Sequence, residues 1–228
     1  MQMEVAIEPM TFSDARREQT SILAPLERAA LRALARRMPG WVNSDHLSVL
    51  GFAAMFFAGI CYALSRQNPL MLHAVNLFIF LNWFGDSLDG TLARYRNRQR
   101  PRYGFYVDHM VDSFGALALM SGLAISGYMH PYIAIGLLLV FLLLSIQSYL
   151  ATYTLGEFQL SFWRFGPTEI RILLATGNVV LLFQPMIWHG HYRLLDVGGA
   201  IGIVGMAVML IFSTIRNTMW LFREERLS

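Results

Sequence analysis

Six apolar stretches, each long enough to cross a bilayer, fall at 46–65, 70–93, 104–128, 131–154, 167–188 and 195–215. About 20 helical residues span the hydrocarbon, and backbone surrounded by lipid must satisfy its hydrogen bonds internally. The sequence is therefore expected to fold as an all-α integral membrane protein with six transmembrane helices. Turn and helix-start residues punctuate the connections at 66–69, 94–102, 129–131, 156–166 and 184–193. With 55% hydrophobic and only 14% charged residues in 228, the composition lies outside that of soluble globular domains.

Arginine orients the expected bundle. All 18 basic residues are arginine, concentrated before the first stretch (Arg16, Arg17, Arg28, Arg32, Arg36, Arg37), in the second connection (Arg94, Arg96, Arg98, Arg100, Arg102) and in the tail (Arg216, Arg223, Arg226). The positive-inside rule puts these segments and both termini in the cytoplasm, which predicts a multi-pass protein of the cell (inner) membrane. Arginines beside membrane segments suit lipid headgroups, so no nucleic acid is expected as a partner. Residues 1–20 carry six charges and no apolar core of signal-peptide length, so no cleavable signal is expected. Cys61 has no second cysteine to pair with.

The segment 22–38 reads as an amphipathic helix lying in the interface, with Leu23, Leu26, Ala30, Leu34 and Met38 near one face and Arg28, Arg32 and Arg36 in a stripe. Packing of that helix on the bundle is the competing reading. Ser44 or Asp45 is expected to cap the first transmembrane helix. The resulting division is a cytoplasmic arm with its interfacial helix (1–43), a six-helix transmembrane domain (44–216) and a cytoplasmic tail (217–228).

Within this apolar chain, Asp86, Asp89, Asp108 and Asp112 stand with Gly90, Ala93, Arg94 and Gly104 among them. A charged side chain at membrane depth costs about 2.5–3.5 kcal/mol on insertion scales, so four carboxylates together call for cations. Spacings of three and four residues place each pair on one helix face, so two facing helices can present all four to one point. All-oxygen ligation suits Mg²⁺ or Mn²⁺, and a two-metal site matches four charges and can serve phosphoryl displacement.

The segment Asp86-Ser-Leu-Asp89-Gly90-Thr-Leu-Ala93-Arg94, nine further residues, then Gly104-Phe-Tyr-Val-Asp108-His-Met-Val-Asp112 resembles the signature of the CDP-alcohol phosphotransferase family at all eight of its positions. The resemblance implies a membrane enzyme that moves a substituted phosphate from a CDP-linked donor to an alcohol with release of CMP. It implies metal ligation by Asp86, Asp89, Asp108 and Asp112, donor contacts at Gly90, Ala93, Arg94 and Gly104, and a homodimer. Small side chains at Gly90 and Ala93 let a nucleotide approach the backbone. The Asp108-His109-x-x-Asp112-Ser113 run resembles the branch that uses CDP-amino-alcohols with a lipid hydroxyl acceptor. It makes His109 the expected general base and Asp112 its competitor. The alternative is a CDP-diacylglycerol-dependent enzyme acting on a soluble alcohol such as inositol phosphate, glycerol phosphate or serine.

Two departures from the amino-alcohol branch stand out: Phe105 follows Gly104 where that branch tends to carry an acid, and its nucleotide-contacting asparagine is replaced by Asp45 or displaced to Asn43. Around the fifth stretch, Arg164 and Arg171 are candidate substrate contacts, Arg171 being expected to pair with Glu169 or an anion. An intramembrane prenyltransferase and a divalent-cation transporter are more distant alternatives. The first needs another aspartate spacing, and the second usually shows paired broken helices, of which the sequence has no sign.

Overall fold

The computed structural model describes residues 16–18, 23–159, 166–188 and 190–225. It is helical, with seven helices: α1 (Ala24–Arg37), α2 (Ser44–Ser65), α3 (Met71–Tyr95), α4 (Pro101–Ser126), α5 (Pro131–Leu155), α6 (Pro167–Phe183) and α7 (Leu194–Glu224). Strands β1 (Arg16–Glu18) and β2 (Glu157–Gln159) pair in parallel, and β3 (Met186–Ile187) and β4 (Tyr192–Arg193) form a small antiparallel pair. Among the described residues four helices, α2, α4, α5 and α7, are long and apolar enough to cross a membrane. Helix α3 carries polar residues along its second half, and α6 has 17 residues. Helix α7 runs unbroken through the expected boundary at 216.

The bundle is built outward from α2, which packs on both α3 and α4; α3 also receives α1 and α6, while α5 joins α4 to α7. Two close crossings hold the centre. A Cβ at Gly85 of α3 would fall 2.5 Å from the Leu47 carbonyl of α2, and one at Gly122 of α4 would fall on the Gly59 backbone. Backbones this near require residues without side chains, the usual means of packing helices where lipid supplies no hydrophobic drive. Around the second crossing lies the main apolar core, including Tyr62, Leu72, Val75, Leu119 and Leu123.

Helix α1 closes a second, smaller core with Leu31 and Ala35 against Leu47, Leu88 and Leu92. It packs through Ala24, Glu27, Leu31 and Ala35, with Leu34 and Met38 partly buried beside them, and leaves Leu26, 72% exposed, and Ala30 outward. The apolar residues grouped on one face in the sequence are thus divided between the bundle and the outer surface. The cap of α2 is also corrected. Asn43, rather than Ser44 or Asp45, accepts from His46 N at 3.0 Å, and its own N–H donates to His46 Nδ1 at 3.4 Å.

Candidate active site

The N-terminal ends of α2, α4 and α6 and the C-terminal end of α3, roofed by α1, surround a cavity of about 290 Å³. Asp86 and Asp89 reach it from α3 and Asp108 from α4, with Gly90, Ala93, Arg94 and Gly104 in the same wall. One oxygen each from Asp86, Asp108 and Asp112 lies within 4.8 Å of the others. The three-residue step from Asp89 back to Asp86 is slightly less than a helical turn, and the structure uses the difference. Asp89 lines the cavity but stands outside the three-carboxylate group, where its Oδ2 accepts from Ser48 Oγ at 2.6 Å.

The converging donors are all carboxylate oxygens held by two helices, which fits a hard divalent cation. Asp86, Asp108 and Asp112 would hold it, and the ion would supply neutralisation of phosphate charge. The cation present within the protein is Arg171. Its Nη2 meets Asp86 Oδ2 at 2.5 Å and its Nε donates to Asn82 Oδ1 at 3.0 Å. Glu169 does not pair with it; Glu169 Oε2 accepts from Gly166 N at 2.9 Å and Oε1 from Leu23 N at 3.1 Å, a capping role at the start of α6. A carboxylate at N3 satisfies amides that the helix leaves open, and that demand took Glu169 away from the arginine.

The remaining residues singled out in the sequence are distributed as follows. Gly90 lines the cavity, where the nearest atom to a Cβ would be in the Arg94 guanidinium, at 3.4 Å, and a Cβ at Gly104 would meet nothing within 4 Å. Asp45 is on the cavity wall and ion-paired with Arg100. Asn43 lines an adjoining cavity with Arg96 and Arg98. Arg164 lies outside the described residues. His109 is 9% exposed, and the cavity wall does not include it: Nδ1 donates to Phe105 O at 2.5 Å, and the ring lies tilted against Phe105 and edge-on to Tyr149, with centroids 4.2 and 4.5 Å away. An i−4 carbonyl and two rings draw the imidazole off the cavity side of α4.

Sequence reasoning passed over Ser48, Asn82, Glu27 and Arg28. Asn82 had a visible signal, lying four residues before Asp86 and so on the same face of α3. Glu27 had a fainter one, as the sole acid in an arginine-rich helix.

A sequence model of CDP-alcohol phosphatidyltransferases matches residues 41–219, most of the chain and all of the aspartate-bearing segment. The protein belongs to the CDP-alcohol phosphatidyltransferase family. Membership makes it a membrane transferase of phospholipid synthesis, a CDP-alcohol phosphotransferase working on a CDP-linked donor and an alcohol acceptor. Enzymes of the family generally use divalent metal ions, in keeping with the acidic cluster. The fold is also that of a solved relative, the phosphatidylinositol phosphate synthase of Mycobacterium tuberculosis in a crystal structure with CDP-DAG bound. The two share 17% identity at a TM-score of 0.56, over 90% of this chain and 99% of that one. The match extends over the helices of a multi-pass membrane protein.

Proposed function

We propose that the protein transfers the phosphatidyl group of CDP-diacylglycerol to a soluble phosphorylated alcohol, glycerol phosphate or inositol phosphate, with release of CMP. The observation that carries this reading is the cationic wall of the cavity. Arg28, Arg94, Arg98, Arg100 and Arg171 line it together with the aspartates. A donor diphosphate beside a metal pair needs few of these guanidiniums; a second phosphate, on the acceptor, accounts for the rest, since arginine matches phosphate in charge and fork geometry. A diacylglycerol hydroxyl carries no such charge. The CDP-DAG bound by the mycobacterial synthase on the same fold supports the same choice of donor. It replaces the amino-alcohol donor suggested by His109, which is not among the residues lining the cavity.

In this reading Mg²⁺ or Mn²⁺ is held by Asp86, Asp108 and Asp112, with Asp89 completing the set. Gly90, Ala93 and Gly104 give the cytidine and diphosphate room beside the backbone. Asp112, whose carboxylate converges with those of Asp86 and Asp108, takes the proton from the acceptor hydroxyl in preference to His109. Arg171 holds the acceptor's phosphate or the donor's, exchanging Asp86 for it. Six helices, α2 to α7, span the inner membrane with both termini cytoplasmic, and α1 lies in the interface with Leu26 and Ala30 outward. Helix α3 falls short of a spanning composition because it carries Asp86, Asp89 and Arg94 along its second half, and α6 is short, with 17 residues. The division into arm (1–43), catalytic bundle (44–216) and tail (217–228), and a homodimer expected from the family, belong to the same reading.

The test is CMP release by purified protein with Mn²⁺. It should require CDP-diacylglycerol and rise with glycerol phosphate or inositol phosphate. Release from CDP-choline or CDP-ethanolamine with diacylglycerol, and none from CDP-diacylglycerol, would reverse the assignment.

A further inference from the structure

Glu27 is the only acid of α1 and is 8% exposed. Its Oε1 accepts three hydrogen bonds from two other helices: Trp83 Nε1 at 2.8 Å and Ser87 Oγ at 3.3 Å on α3, and Thr168 Oγ1 at 2.7 Å on α6. Its Oε2 is buried and has no hydrogen-bond partner among the described residues. A buried carboxylate with one oxygen unsatisfied is less stable than an apolar contact of the same shape. Packing alone therefore gives no reason for an acid here.

The residues it holds supply one. Trp83 and Ser87 bracket Asp86 on α3, and Thr168 lies about one turn before Arg171 on α6. Glu27, Ser87 and Thr168 share the cavity wall with Asp86 and Arg171. One carboxylate thus fastens the two helices that carry the Asp86–Arg171 pair, and it does so from a third helix. The bond from Leu23 N to Glu169 Oε1 ties the start of α1 to α6 as well.

We infer that Glu27 is a positioning residue: from α1 it fixes the rotation of α3 against α6, and so holds Asp86 toward the aspartates of α4 and within reach of Arg171. The turnover part of its test rests on the function proposed above; the binding part does not. Full-length protein in detergent is titrated with Mn²⁺, bound and free ion being distinguished by electron paramagnetic resonance. Folding of each variant is checked by circular dichroism. Glu27→Ala should weaken Mn²⁺ binding by roughly tenfold, the lower end of what outer-shell partners of metal ligands contribute. Glu27→Gln, which keeps a carbonyl acceptor, should restore most of the affinity. Thr168→Val should shift it the same way as Glu27→Ala, and the double variant should be no weaker than Glu27→Ala alone, because the two act through one network. With CDP-diacylglycerol as substrate, kcat should fall alongside while the donor KM stays put.

Unchanged Mn²⁺ affinity in folded Glu27→Ala and Thr168→Val overturns the inference, as do additive losses in the double variant. If Glu27→Ala fails to fold, Glu27→Gln and Thr168→Val decide it. Wild-type protein that gives the expected Mn²⁺ pattern but releases no CMP from CDP-diacylglycerol sinks the functional reading and leaves the positioning role standing.

Discussion

Adding one methyl group at Gly90 should stabilise the protein and impair it at once. Glycine inside a helix is less stable than alanine by about 0.5–1 kcal/mol, an entropic term that applies wherever the new Cβ has room. At Gly90 it has room, since the nearest atoms belong to the flexible end of Arg94, the closest at 3.4 Å. Gly90→Ala should therefore raise the melting temperature by about 1–4 °C, taking about 2–4 °C per kcal/mol for a chain of this size. The same methyl projects into the cavity that the CDP-linked donor enters, and Gly90→Val adds two more carbons there. Donor KM should rise modestly for Ala and by about tenfold or more for Val, as a misfit of an ångström or so at the reacting end costs up to about 10²-fold. Melting curves and CMP-release kinetics on the same preparations give both numbers. A variant that loses stability while keeping its donor KM would refute the reasoning, for it would mean that Gly90 packs a helix instead of facing substrate.

Three further outcomes are expected. Asp86→Asn, Asp108→Asn or Asp112→Asn should abolish CMP release while leaving the helical circular dichroism signal, since the bundle core is apolar; near-normal turnover in any two would remove the metal assignment. His109→Ala should cost little in kcat, well short of the roughly 10²–10⁴-fold loss of a general base, and should lower thermal stability through its lost contacts with Phe105 and Tyr149; a loss in that range would return the base to His109. Gly122→Ala, whose methyl would overlap the Gly59 backbone, should destabilise by about 1–3 kcal/mol or more, seen as a lower melting temperature with an unchanged donor KM.

Local order was readable from the sequence wherever one period dominated. The six apolar stretches correspond to α2 through α7, and the aspartate spacings correctly put Asp86 and Asp108 on surfaces that face each other. Asp89 shows the limit of such spacing: three residues do not complete a turn, and Ser48 on α2 was there to receive it. The sequence left open whether α1 lies in the interface or packs on the bundle; its packed side holds Ala24, Leu31, Ala35 and the polar anchor Glu27, and Leu26 stays outward. Arg171 was expected to pair with Glu169 or another anion, and the anion is Asp86, while the amides at the start of α6 hold Glu169. The contacts from Ser48 to Asp89 and from Leu23 to Glu169 join residues 41 and 146 positions apart, and no local pattern carries that information.

The buried chain Tyr62 Oη to Asn178 Oδ1 at 2.7 Å, Asn178 Nδ2 to Asn76 Oδ1 at 2.8 Å, and Asn76 Nδ2 to Ala175 O at 3.1 Å bears on how the protein is assembled during synthesis. Helix α6 has 17 residues and carries Glu169, Arg171 and Asn178, which makes it a poor candidate for independent insertion. Helices α2 and α3, with Tyr62 and Asn76, leave the ribosome earlier and can wait in the bilayer with donor and acceptor already in place. On the proposed six-helix topology, entry of α6 is then a docking event in which Asn178 and Arg171 meet partners already present on α2 and α3. The site is consequently completed late in translation, when α6 delivers Arg171 to Asp86.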